Sequence, residues 1–113
     1  MYQCLLNSHA DLSIQGTTYA IINEFHELVI EYYFTDDDRP SSDITWLATV
    51  DRKETSLLAK RLNVKVQDLP KRIYDECGVP YDSVPSHAEQ VFQEALEFIL
   101  DNGVQYTLKE TRP

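Results

Sequence analysis

The sequence predicts an α+β fold: a small single domain with an antiparallel β-sheet of four to five strands, three α-helices packed on one face, and a C-terminal helix followed by a strand. Three observations support this. Apolar and polar residues alternate through much of the first half, helix start signals cluster in the second, and the final helical pattern runs into a short alternating segment. With 113 residues the chain falls in the usual range of one domain, about 100–150 residues. No repeat, linker or composition break divides residues 1–113. A hydrophobic content of 42% is too high for a disordered acidic tail.

The opening run Tyr2, Gln3, Cys4, Leu5, Leu6 is apolar, and its Cys4 is expected as a small core side chain. Gln15 with Gly16 suggests a break. Residues 17–35 admit two readings. As a helix, Asn23, Glu24, Glu27 and Glu31 would share one face. As a hairpin, residues 17–23 and 28–34 would be strands, with Leu28, Ile30, Tyr32 and Phe34 on one side. Only Ala20 and Leu28 among its apolar residues are strong helix formers, so the hairpin is preferred, although no glycine marks its turn. Residues 36–43, with Asp36, Asp37, Asp38 and Pro40, form a turn. Ile44, Trp46, Ala48 and Val50 then alternate with Thr45, Leu47 and Thr49, a strand that puts Trp46 in the core.

Asp51 with Glu54 predicts a capping-box-like helix start, with Leu58 and Leu62 one turn apart and an end near Asn63. Asp68 before Leu69 and Pro70 starts a second helix, because a first-turn proline lacks only an amide that would have no partner there. Ile73 and Cys77 give that helix an inner edge, and Gly78 ends it. After a loop over residues 78–85, Ser86 with Glu89 forms a capping box. Val91, Phe92, Ala95, Leu96 and Ile99 follow at helical spacing, with Gln90, Gln93, Glu94, Glu97 and Asp101 opposite. Asn102 with Gly103 supplies a left-handed exit. Val104, Tyr106 and Leu108 alternate with Gln105, Thr107 and Lys109 in the closing strand.

Several function classes are excluded on residue chemistry. No apolar stretch approaches the roughly 18–20 residues that span a bilayer, and no secretory signal is expected from the first residues. Cys4 and Cys77 make no C-x-x-C pair, so reduced thiols and a cytoplasmic location are expected. An EF-hand starting at Asp36 would need Gly and Glu where Ser41 and Leu47 stand. His9, His26 and His87 lack zinc-ligand spacing. Neither metal nor cofactor is expected. Cys77 beside Asp75 and Glu76 at a helix C-terminus disfavours thiolate. Ser86 beside His87 is explained by capping. No phosphate-binding or nucleophile-elbow motif is present, so no catalytic residue is assigned and no enzyme is expected.

Charge is the informative property. The net charge is −9, but it is unevenly placed: residues 1–50 carry −7, residues 51–72 carry +4 and residues 73–113 carry −6. Asp36, Asp37 and Asp38 concentrate charge in one loop. Glu94, Glu97 and Asp101 form a ridge on the last helix, toward the end where carboxylates oppose the macrodipole. Tyr32 and Tyr33 point to opposite sheet faces, so one is exposed. The leading expectation is a small acidic binding protein that occludes a basic protein partner. An immunity protein neutralising a nuclease toxin, or a phage- or plasmid-borne mimic of nucleic-acid charge, would have this character. Its contacts would be Glu27, Glu31, Tyr33, Asp36, Asp37, Asp38, Glu94, Glu97 and Asp101. The alternative is a regulator touching nucleic acid through Arg52, Lys53, Lys60, Arg61, Lys65, Lys71 and Arg72. Against it, Pro70 delays the second helix of any helix-turn-helix, the chain's charge repels a polyanion, and Lys71 with Asp75 and Arg72 with Glu76 pair at i,i+4. A homodimer through sheet edges stays open.

Overall fold

The structure, a computed structural model, describes residues 2–8, 14–39, 43–80 and 82–111. Its elements are β1 (Tyr2–Asn7), β2 (Ile14–Ile22), β3 (Leu28–Asp36), β4 (Ile44–Val50), α1 (Arg52–Leu62), a 3-10 turn (Val66–Asp68), α2 (Leu69–Cys77), α3 (Ser86–Asp101) and β5 (Thr107–Thr111). The strands form one antiparallel sheet in chain order, and all the helices among the described residues sit in the connection from β4 to β5. The expected α+β architecture is the one observed.

Residues 17–35 form the hairpin, paired without interruption from Ile14 opposite Asp36 to Ile22 opposite Leu28. Asparagine does at its turn what glycine often does. The Asn23 side-chain carbonyl accepts from the amides of Phe25 and Glu27, both at 2.9 Å, while His26 takes the left-handed conformation at φ 62°. At the other end of β3, the Asp36 carboxylate accepts from the Asp38 amide and Asp43 accepts from the Asp36 amide.

Strand register sorts side chains to two faces. Leu28, Ile30, Tyr32 and Phe34 lie level with Thr18 and Ala20 of β2 and with Trp46, Ala48 and Val50 of β4. Over that face α3 crosses β1, β2 and β3, and α2 crosses β1 and β2. Phe92, Ala95, Leu96 and Ile99 of α3 and Leu69 and Ile73 of α2 meet them in the core. β1 breaks alternation with a bulge between Cys4 and Leu6, which lets the consecutive residues Leu5 and Leu6 both be fully buried. The opposite sheet face, with Tyr19, Glu31, Tyr33 and Leu47, carries no helix among the described residues. No helix among them is long and apolar enough to cross a membrane.

Helix ends differ from expectation in informative ways. Asp51 caps α1 by accepting from the Glu54 amide at 2.8 Å, and Asn63 ends it in the left-handed region. Glu54 does not return the bond, so the box is half formed. α2 starts at Leu69 without a side-chain cap from Asp68, because the 3-10 turn feeds it directly. The Ser86 capping box is absent: Pro85 holds the cap position, and Ser86 is already the first helical residue. Asp82 organises the entry instead, accepting from the Val84 amide at 2.7 Å. Gly103, at φ 75°, makes the expected left-handed exit.

Three further expectations are corrected. Gln15 and Gly16 lie inside β2, where an added Cβ on Gly16 would come within 2.6 Å of the Pro85 carbonyl oxygen. Glycine is there for close approach, not for a turn. The closing strand starts at Thr107, since Val104 is fully buried in the helix exit. Trp46 and both cysteines are half-buried rather than core. Trp46 packs its ring 5.0 Å from Tyr32 and 5.9 Å from Phe92, and donates its indole N–H to Glu110.

One buried hydroxyl ties three elements. Thr55 of α1 donates to the Val50 carbonyl at 2.8 Å and accepts from the Leu28 amide at 3.0 Å, fully shielded from solvent. Thr55→Val keeps the shape and orphans both backbone groups, so urea unfolding should show a loss of about 2–3 kcal/mol. Thr55→Ser should recover most of it.

Candidate functional site

The acidic residues singled out by the sequence do not form one surface. Glu27 closes the β2–β3 turn and accepts from the Asn23 side-chain amide at 2.9 Å. Glu31 and Tyr33 stand on the bare face of the sheet, Tyr33 exposed. Asp36 is occupied with its own turn, while Asp37 and Asp38 are exposed at its tip. Glu94, Glu97 and Asp101 lie on the outward side of α3, whose inward side packs on the sheet. They therefore face away from Glu31 and Tyr33, and no single partner surface touches all nine.

The α3 group is the coherent one. This 16-residue helix contains no lysine or arginine. Glu89, Glu94, Glu97 and Asp101 are all exposed, and none forms an ion pair among the described residues. The basic segment does not neutralise them. Lys71 pairs with Asp75 at 2.8 Å and Arg72 pairs with Glu76. Arg61 donates to the Asn102 carbonyl and so caps the end of α3. Arg52, Lys53, Lys60 and Lys65 are exposed on and after α1. Residues 63–68 separate α1 from α2, longer than the roughly 3–4-residue turn of a helix-turn-helix.

A second feature was hidden from the sequence. A cavity of about 530 Å³ opens between the start of β2, the end of β3 and the first turn of α3. Ile14, Phe34 and Pro85 give it apolar walls, and Tyr32, Ser83, Ser86 and Glu89 give it polar groups. Tyr32 is almost completely buried, its ring against Trp46 and Phe92. Burial, and secondarily the Glu89 carboxylate, push its phenol up to about 12. Glu89 is the carboxylate of the expected Ser86 capping box. With Pro85, which has no N–H, in the cap position, there is no cap amide for Glu89 to reach, and it lines the cavity instead.

A third grouping has suggestive composition. Cys77, Asp82, His87 and Glu94 border a small cleft of about 170 Å³, with His87 Nδ1 2.6 Å from an Asp82 carboxylate oxygen. The chemistry runs against nucleophilic use. Burial first, then Glu94 and Glu76, raise the Cys77 thiol from 9.0 to about 11. Burial likewise raises Cys4. Among the described residues no group of three or more His, Cys, Asp or Glu is placed to hold a metal ion.

The thiol can be checked directly. A rise of this size leaves Cys77 about a hundredfold poorer in thiolate at pH 8 than an unperturbed thiol. Iodoacetamide labelling read by peptide mass spectrometry should be correspondingly slow, quicken as pH rises toward 11, and quicken at lower pH in Glu94→Gln. The chain matches no family model, no curated protein and no solved structure.

Proposed function

We propose that the chain is a small binding protein that docks on a basic protein partner, and neutralises it, through the outward face of α3. The observation that carries this reading is the composition of that face: three exposed carboxylates, Glu94, Glu97 and Asp101, no lysine or arginine on the helix, and the nearby bases engaged elsewhere or carried on α1. Glu94 with Glu97, and Glu97 with Asp101, are like-charged neighbours at i,i+3 and i,i+4, which weakens a helix. Glu97 and Asp101 also sit where the macrodipole favours lysine. A helix shaped by stability alone would not be built this way. A field of one sign instead speeds encounter with a cationic surface and rejects anionic ones. Proteins that handle nucleic acid present such a surface, and a nuclease toxin is the kind of target this chain would occlude. Glu31 and Tyr33, on the opposite side, take no part in this contact.

The test is charge reversal. Glu94, Glu97 and Asp101 changed together to Lys should raise unfolding free energy by about 1 kcal/mol, since the dipole penalty becomes a gain while repulsion within the trio stays the same. Immobilised wild-type chain, exposed to host lysate at low ionic strength, should retain a basic protein that elutes as salt is raised. The triple variant should not retain it. Equal retention by the variant, or retention indifferent to salt, would show that this face is not the docking surface.

A further inference from the structure

The cavity at the head of α3 has a chemistry of its own. Its four polar side chains, Tyr32, Ser83, Ser86 and Glu89, make no hydrogen bond among the described residues. For Ser83, Ser86 and Glu89, which are exposed, water suffices. Tyr32 is the least exposed of the four, at 4%. Trp46 and Phe92 pack against its ring, with centroids 5.0 and 6.1 Å away, and its hydroxyl is left to the cavity. That hydroxyl is not sealed off without a partner, so it meets cavity water, and a ligand that enters must replace that water. Aromatic and aliphatic walls therefore converge on one carboxylate and one hydroxyl that has no partner among the described residues.

The charge in the cavity selects among ligands. No Lys, Arg or His lines it among the described residues, and Glu89 repels an anion despite the helix N-terminus nearby. A wholly apolar ligand would strip water from the Glu89 carboxylate and leave the Tyr32 hydroxyl unpaired. A cation on an apolar stem satisfies both. Guanidinium suits the site better than ammonium, because it is planar, less strongly hydrated, stacks on aromatic rings and grips a carboxylate with two parallel bonds. A volume of about 530 Å³ accommodates an arginine side chain and part of its flanking residue. Glu89 is on the flank of α3 beside the cavity, eight residues before Glu97, so about 12 Å along the helix axis from the centre of the acidic ridge.

We infer that this cavity receives an arginine side chain of the basic partner, its stem along Ile14, Phe34 and Pro85 and its guanidinium between the Glu89 carboxylate and the Tyr32 hydroxyl. This assignment rests on the docking reading above and gives it an anchor: the ridge steers, and the cavity holds one residue in register.

A probe that needs no partner tests it. The chain is titrated with Nα-acetyl-arginine methylamide, followed by two-dimensional amide NMR, with the neutral isostere Nα-acetyl-citrulline methylamide as comparison. Saturable shifts at Phe34, Ser86 and Glu89, at least tenfold weaker affinity for the citrulline compound, loss in Glu89→Gln and retention in Glu97→Gln are the expected results. Absent shifts, equal binding of the two compounds, or an unaffected Glu89→Gln would overturn the assignment. Free L-arginine binding more than tenfold tighter than the blocked form would overturn it too, by making the ligand a free amino acid. If partner capture is lost on α3 charge reversal while the probe fails, only the cavity assignment falls. If the probe binds but capture survives charge reversal, the α3 docking surface falls instead.

Discussion

The close seating of α3 on β2 governs the rest of the architecture. It depends on small residues at the crossing: Gly16, where a Cβ would meet the Pro85 carbonyl oxygen at 2.6 Å and the Ala88 side chain at 3.1 Å, and fully buried Thr18, Ala20 and Ala88. Thr18 also donates its hydroxyl to the Ala88 carbonyl at 2.5 Å, so the contact is fixed in register as well as in distance. With the first turn of the helix held there, Phe92 one turn further on reaches Tyr32 and Trp46. The large aromatic residues fill the space between helix and sheet only because the small ones have set the gap.

The same seating separates the molecule into two sides of different character. One sheet face is spent on the core, and the other carries Thr, Tyr and a few charges together with Ile21, Val29 and Leu47, with no helix over it among the described residues. The helical layer presents most of its charge outward, acids on α3 and bases on α1, with paired charges on α2. Segregation of this kind contributes little to stability, since exposed pairs are weak. Its effect is on encounter, where a coherent field acts beyond contact range, about 8 Å at physiological salt.

Strand and helix content was legible because it depends on local pattern. The alternation of Leu28, Ile30, Tyr32 and Phe34 fixed the inner face of β3, and Asp51, Asn63 and Gly103 punctuated helices as their side-chain chemistry dictates. Features set by tertiary contact were not legible. Gly16 resembles a turn residue until Pro85 is placed against it, and Ser86 resembles a cap until Asp82 is seen to organise the entry. The acidic candidates were identifiable as residues, but their division between opposite faces needed the strand register and the helix packing. The cavity combines side chains from residues 14 to 89, a span over which no periodicity carries information.

Placing every helix between β4 and β5 has a kinetic consequence. The meander from β2 to β4 assembles through short-range hairpins, but Trp46 and Glu110 are 64 residues apart in the chain. Closing so long a loop before the helices have shortened it is entropically unfavourable, so β5 zips on last. All five residues of β5 are exposed, and its ladder to β4 and the contacts of Glu110, the bond from Trp46 among them, retain it. It is the strand that lets go first in any partial opening, baring the edge of β4 while the helices stay docked.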